Sequence, residues 1–227
     1  MNEPKLIVNK ESFIKNSGFT LQNISLLKEI LLKGGLILLP SDTCYSLAAL
    51  PVNLQTVKSL NIILNREDIP FSLAFPNFEK IMESMVLSEK LIYLFQKFTP
   101  GCLTVVCKAK DRVLADLTRS QDGTIGVRLT DSIIERIVAG LTDFPITTVP
   151  PKFNSLVIQD FDLAIKVVQD GIVKLGKEIP WAAIEAEKFY SMYSTVVGEG
   201  RDGGLLLFRE GGISFSKIIN TIENKIN

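Results

Sequence analysis

Short apolar runs bounded by glycine, proline and polar turns alternate with segments of helical period along most of the chain. This alternation limits the possible folds more than any other feature. LQNISLLKEILL, with Lys33 after it, spaces its apolar side chains as a helix does, and Gly34 and Gly35 stop it. LILL (36–39) is a buried strand. LQTVKSLNIIL (54–64) is helical, FSLAF (71–75) is a short strand, and SEKLIYLFQKF (88–98) is a helix with Ser88 as N-cap. Pro100 and Gly101 break the chain before the β-branched strand LTVVCKA (103–109). IGVRL (125–129) is a strand, and SIIERIVAGL (132–141) is a helix with Ser132 and Glu135 at capping-box spacing. PITTV (145–149) is a strand followed by two prolines and a loop. DFDLAIKVVQDG (160–171) is a helix ending at Gly171, STVVGEG and LLLFREG flank a hairpin turn, and KIINTIENKI closes the chain as a helix. Interleaved helices and strands with one hairpin give an α/β to α+β class built on a mixed sheet. No repeat or linker divides the 227 residues, so one domain over 1–227 is expected.

Charge and composition then exclude several function classes. Twenty-five Lys plus Arg balance 25 Asp plus Glu, which argues against a protein devoted to phosphate neutralisation on nucleic acid. No apolar run is long enough to span a membrane, and the N-terminus has no hydrophobic signal core, so a cytoplasmic location is expected. Cys44, Cys102 and Cys107 lack metal-ligand spacing, and an odd count fits reduced thiols. There is no histidine, which removes the commonest general base and metal ligand together. Chemistry here must use hydroxyls, carboxylates, Lys, Arg and backbone groups.

Candidate site residues sit where strands end. PSDTCYSL follows LILL directly. A turn in which Ser41 or Asp42 satisfies free amides explains it, and so does the hydroxyl-lined rim of a ligand site. Arg128 lies in an apolar strand, opposite in phase to Val127 and Leu129, so it faces either solvent or an anion. Arg209 in LLLFREG poses the same choice. GEGRDGG (198–204) lacks the spacing of a phosphate-binding loop and closes a hairpin.

Taken in order, PSDTCY, NREDIPFSL, TPGCLTVV, TIGVRL, STVV and FREGGIS resemble the YrdC-like family of threonylcarbamoyl-AMP synthases, from about Leu21 to about Ser214. PSDTCYSL resembles the family's P-T-D-T-x-Y-G-L, and TPGCLTVV its W-P-G-P-L-T. The resemblance implies a twisted mixed sheet with flanking helices and a concave ligand cleft. It also implies a nucleotidyltransferase activity that joins ATP, L-threonine and bicarbonate into threonylcarbamoyl-AMP for tRNA modification. ATP would be substrate or ligand, Mg2+ its companion, and nothing would be tightly bound. Carried over, Thr43, Tyr45, Thr104 and Arg128 would bind the amino acid, while Arg66, Ser194, Thr195 and Arg209 would bind the nucleotide. No residue is assigned a catalytic or metal-binding role.

The departures from the family pattern concern charge. Where the family has K-x-R and then a further lysine, this chain reads ILNREDIPFSL. Arg66 matches the arginine, the first lysine falls on Leu64 or Ile63, and the second falls on Ile69. In place of T-S-x-N stands TTVPPKFNS, with Val149, Pro150 and Lys152 in those places. Polyphosphate needs cations around it, most of all as pyrophosphate leaves. The expectation is therefore a YciO-like, divergent nucleotide-binding member with reduced or altered catalysis. The alternatives are an active synthase and a double-stranded RNA or tRNA-binding module, for which Lys108, Lys110 and Arg112 would supply a local basic patch.

Overall fold

The computed structural model describes residues 3–66, 71–110, 120, 122–185, 189 and 193–226. Strand β1 (Leu6–Val8) and helices α1 (Lys10–Lys15) and α2 (Leu21–Leu32) lead into β2 (Leu36–Pro40), β3 (Tyr45–Ala48) and α3 (Leu54–Ile63). Next come β4 (Ser72–Ala74), α4 (Phe78–Ser84), β5 (Met85–Val86), α5 (Glu89–Phe98), β6 (Leu103–Ala109) and β7 (Thr124–Arg128). Helix α6 (Ile133–Ala139), β8 (Ile146–Thr147), β9 (Lys152–Phe153), β10 (Leu156–Val157) and α7 (Phe161–Leu175) follow. The chain closes with β11 (Trp181–Ile184), β12 (Thr195–Glu199), β13 (Leu205–Arg209) and α8 (Phe215–Ile226).

Two mixed sheets result. The smaller has the order β1-β11-β2-β3, with β2 parallel to β11 and antiparallel to β3. It is covered on both sides, which is why LILL is apolar without alternation. Leu36 and Leu38 pack with Trp181, Val57, Leu60, Val168 and Ile172, while Ile37 and Leu39 pack with Leu27, Ile30, Ile134 and Val138. The larger sheet has the order β13-β12-β6-β7-β4-β8, with β5 also paired to β6. Its strands obey the period of two. Leu73, Val105, Cys107, Ile125, Val127 and Val197 face the helices, in one core with Leu94, Phe95 and Ile218. The residues between them are left for the opposite face, where the cleft lies.

Most sequence-derived elements stand, and Ser88 caps α5 as expected, accepting from Leu91 N at 3.3 Å. Two expectations are corrected. The loop after Pro151 contains a small hairpin, β9–β10, turned by Asn154 and Ser155, both at positive φ (49° and 67°). Helix α7 runs through Gly171 to Gly176, whose φ of 69° supplies the left-handed stop. Gly171 serves packing instead, since a Cβ there would lie 2.3 Å from the carbonyl oxygen of Ile63. Gly171→Ala is therefore expected to destabilise by about 1–3 kcal/mol, because overpacking against backbone outweighs the ~1 kcal/mol gain in helix propensity. A lower urea midpoint at unchanged slope would register it.

Candidate functional site

The cleft begins where β2 runs out. After Pro40 the chain turns tightly, Ser41 N donating to Cys44 O at 3.0 Å, and Ser41, Asp42, Thr43 and Cys44 are all buried. The Asp42 carboxylate does not cap its own turn. It pairs with Arg128, which arrives from β7, and accepts from Asp131 N at 3.4 Å. Arg128 is only 5% exposed, so the solvated-face reading is excluded; its guanidinium forms cavity wall. Burial opposes its charge, but the nearby acidic groups, Asp42 first among them, outweigh this and keep the guanidinium protonated.

A cavity of about 220 Å³ opens against this pair. Arg66, Arg128, Lys152 and Arg209 line it, with the hydroxyls of Thr43, Ser46, Ser72, Thr148 and Ser194, and among the described residues no carboxylate belongs to that lining. Arg66 is held over the Phe71 ring at 5.0 Å. Arg209 lies over Tyr193 at 5.1 Å and donates to Ser194 O and Ser194 Oγ, each at 3.1 Å. Burial, then the nearby charge of Arg128, lowers the pKa of Arg209 from its usual value, so two mutually repelling cations line one cavity. Cys44 also lines the cavity, but burial pushes its thiol up to about 11, so it is no ready nucleophile.

Ser194 and Thr104 share a hydrogen bond of 2.8 Å, and Thr104 opens onto a second, larger space of about 660 Å³. Its walls come from the same sheet face: Phe71, Val106, Gly126, Val196 and Phe208, with Ser120, Asp122 and Thr124 at one side. Ser72 borders both spaces. One cleft thus has a cationic arm and a mainly apolar arm, meeting at Ser72, Thr104 and Ser194.

Six of the eight residues expected from the sequence line this cleft: Thr43, Arg66, Thr104, Arg128, Ser194 and Arg209. Tyr45 and Thr195 do not. Tyr45 is 1% exposed and packs against Phe161 and Phe189, because strand alternation turns it into the core. Thr195 is fully buried behind the sheet, where its Oγ1 accepts from Gly211 N (2.9 Å) and Ile213 N (3.1 Å) and so fixes the return from β13. Neither candidate lysine position reaches the cavity: Ile63 is 4% exposed in the core and Leu64 packs beside it. Ile69 and Arg112 lie outside the described residues.

Lys152, assigned no ligand role from the sequence, is carried to the rim by the β9–β10 hairpin. Ser46, Ser72, Thr148 and Tyr193 were not anticipated either. Ser72 could have been found, since it is the polar residue between apolar neighbours in FSLAF.

Fold and site together define a mixed-sheet protein with a cleft lined by four cationic side chains. The chain belongs to the Sua5/YciO/YrdC family, described as "Telomere recombination", whose model matches residues 29–198. A Methanocaldococcus jannaschii relative named "Putative threonylcarbamoyl-AMP synthase" is 24% identical over 86% of this chain and 88% of its own. Escherichia coli YciO superposes with a TM-score of 0.76 at 18% identity, covering 96% of this chain and 100% of YciO. P. abyssi Sua5 complexed with L-threonine superposes with a TM-score of 0.74 at 21% identity, covering 96% of this chain. The chain spans only 60% of the length of that Sua5.

Proposed function

We propose that the cleft binds an adenine nucleotide together with an amino acid, L-threonine by kinship with the synthases, and that ATP activation proceeds in altered, slower form. The observation that carries this reading is the convergence of four cationic side chains on one cavity, with no carboxylate among its described lining residues. Such a wall attracts phosphate and carboxylate and repels neutral ligands only weakly. The apolar arm suits a base between Phe71, Val106 and Phe208. The junction at Thr104, Ser194 and Arg209 then receives the first phosphate, and the outer phosphates extend toward Arg66 and Lys152. Arg128 and Thr43 take the carboxylate or carbamate of the amino acid. A divalent metal would enter with the phosphates, since the described residues of the lining offer it no carboxylate. The place of action proposed is the cytoplasm, and no described helix is long and apolar enough to cross a membrane.

Slower activation follows from what replaces the family's lysines. Ile63 and Leu64 present hydrocarbon to the core, and the loss of one transition-state contact to a leaving pyrophosphate costs about 3 kcal/mol, roughly two orders of magnitude in rate. Lys152 favours the second reading, a fully active synthase, since it restores one charge from another direction. Incubation with ATP, bicarbonate, Mg2+ and L-threonine, followed by mass spectrometry, separates the two. Trace threonylcarbamoyl-AMP with clear calorimetric binding of ATP is expected. Robust product would establish the second reading, and no heat with either ATP or AMP would remove both.

A further inference from the structure

Glu135 has no place in the ligand scheme above, yet it is fully buried and only one hydroxyl away from the cavity wall. It stands third in α6, where a capping box would turn its carboxylate back toward the backbone of Ser132. Ser132 does cap the helix, its Oγ accepting from Glu135 N at 3.2 Å and donating to Pro40 O at 2.6 Å. The Glu135 side chain goes elsewhere, its Oε2 lying 2.6 Å from Ser41 Oγ. Among the described residues no donor in hydrogen-bonding geometry meets Oε1, the nearby Thr148 hydroxyl being turned to Ser46.

The hydrogen count makes this arrangement informative. Ser41 Oγ lies 2.6 Å from Glu135, 3.1 Å from Asp42 Oδ1 and 3.4 Å from Arg128 Nη1. A hydroxyl has one proton to donate. With both carboxylates ionised and Ser41 donating to Glu135, Asp42 keeps Arg128 and Asp131 N, but the fully buried Glu135 anion is left with one hydrogen bond and a bare Oε1. If Glu135 carries a proton, every bond is satisfied in one direction: Glu135 donates to Ser41, Ser41 donates to Asp42, and Asp42 receives Arg128. We propose that Glu135 is a positioning residue which, as the neutral acid, turns the Ser41 hydroxyl onto Asp42 and thereby fixes the Arg128 guanidinium at the cavity wall.

Electrostatics agree with the geometry. Burial pushes the Glu135 carboxyl above its usual range, and the opposing pull of Arg128, Ser41 and Thr148 only partly offsets this. The charged or titratable groups acting on it are Arg128 from β7 and, from the turn after β2, Asp42 and Cys44, whose thiol stays protonated. A carboxyl protonated in the folded protein but ionised in the unfolded chain above about 4.5 gives the folded state an extra proton. Its contribution to stability is therefore complete below that value and declines as pH rises, until Glu135 itself ionises.

Glu135→Gln mimics the neutral acid, since its amide can donate to Ser41. Thermal unfolding of wild type and Glu135→Gln between about pH 5 and about pH 8 tests the proposal without any ligand. The variant should gain on the wild type as pH rises. Parallel curves would overturn the assignment. The binding half rests on the nucleotide reading. Relative to Glu135→Gln, the wild type should lose ATP affinity as pH rises, whereas Glu135→Leu should bind about tenfold more weakly than Glu135→Gln throughout, as befits one buried hydrogen bond. An identical pH profile for wild type and Glu135→Gln would also overturn it. Should ATP fail to bind at all, the proposed function falls, and the unfolding curves still decide the role of Glu135.

Discussion

Arg128→Met should destabilise the protein by about 3–5 kcal/mol and remove ATP and L-threonine binding at once. The expected size follows from where the partner is left. Asp42 is 2% exposed and reaches no other side-chain cation among the ion pairs of the described residues. Deleting the guanidinium strands a carboxylate in the core rather than merely subtracting one contact. Breaking one side of a buried pair is costly for this reason, whereas exchanging the whole pair for hydrocarbon is often close to neutral. The double variant Arg128→Met with Asp42→Leu should therefore recover most of the lost stability and none of the binding. Urea titration gives the first quantity and calorimetry the second. A single variant within about 1 kcal/mol of wild type would mean that Asp42 finds water or another donor, and that the pair is not the anchor of the cleft.

This pair also marks the limit of what the sequence discloses. Arg128 drew attention because an arginine inside an apolar strand must be paired or solvated, and strand alternation placed it off the core face. Its partner lies 86 residues away in a turn that local chemistry explains equally well. Nothing in PSDT distinguishes an aspartate that caps a turn from one that neutralises a distant guanidinium. Glu135 was hidden by a motif that is itself correct: Ser132 does cap the helix, and capping-box spacing supplied a ready use for the glutamate. The overlooked signal was helical phase, since Glu135 shares the buried stripe with Ile134, Val138 and Ala139.

The core was legible because its causes are local. LILL, LTVVCKA and the capped helices are specified by runs, periods and breakers that act within a few residues. Tyr45 and Thr195 show where motif order stops short. Each lies one step along a strand from a cleft residue, so the stretch of sequence was right while the pleat decided which side chain entered the cleft. Lys152 was out of reach for a related reason. Its direction depends on the two-residue turn at Asn154 and Ser155, and Ser is an uncommon occupant of positive φ.

Arg209→Ala should weaken ATP and AMP alike by about 10- to 100-fold, the range expected for hydrogen bonds to a charged group. Its guanidinium is already oriented by Ser194 and by the Tyr193 face, so little entropy remains to be lost when a phosphate arrives. It stands at the junction of the two arms, where the first phosphate common to both nucleotides would sit. Lys152, exposed like Arg209, differs in its support, since among the described residues no ring or hydrogen bond holds its ammonium. It is exposed on a short hairpin, and a solvated ammonium contributes little and is screened by salt. Lys152→Ala should cost no more than about fivefold, should affect ATP but not AMP, and should lose its effect as ionic strength rises. Equal losses for both nucleotides in both variants would place the phosphates differently along the cavity. A loss confined to ATP in Arg209→Ala would reverse the chain of phosphates, putting the base beside Lys152 instead of in the apolar arm.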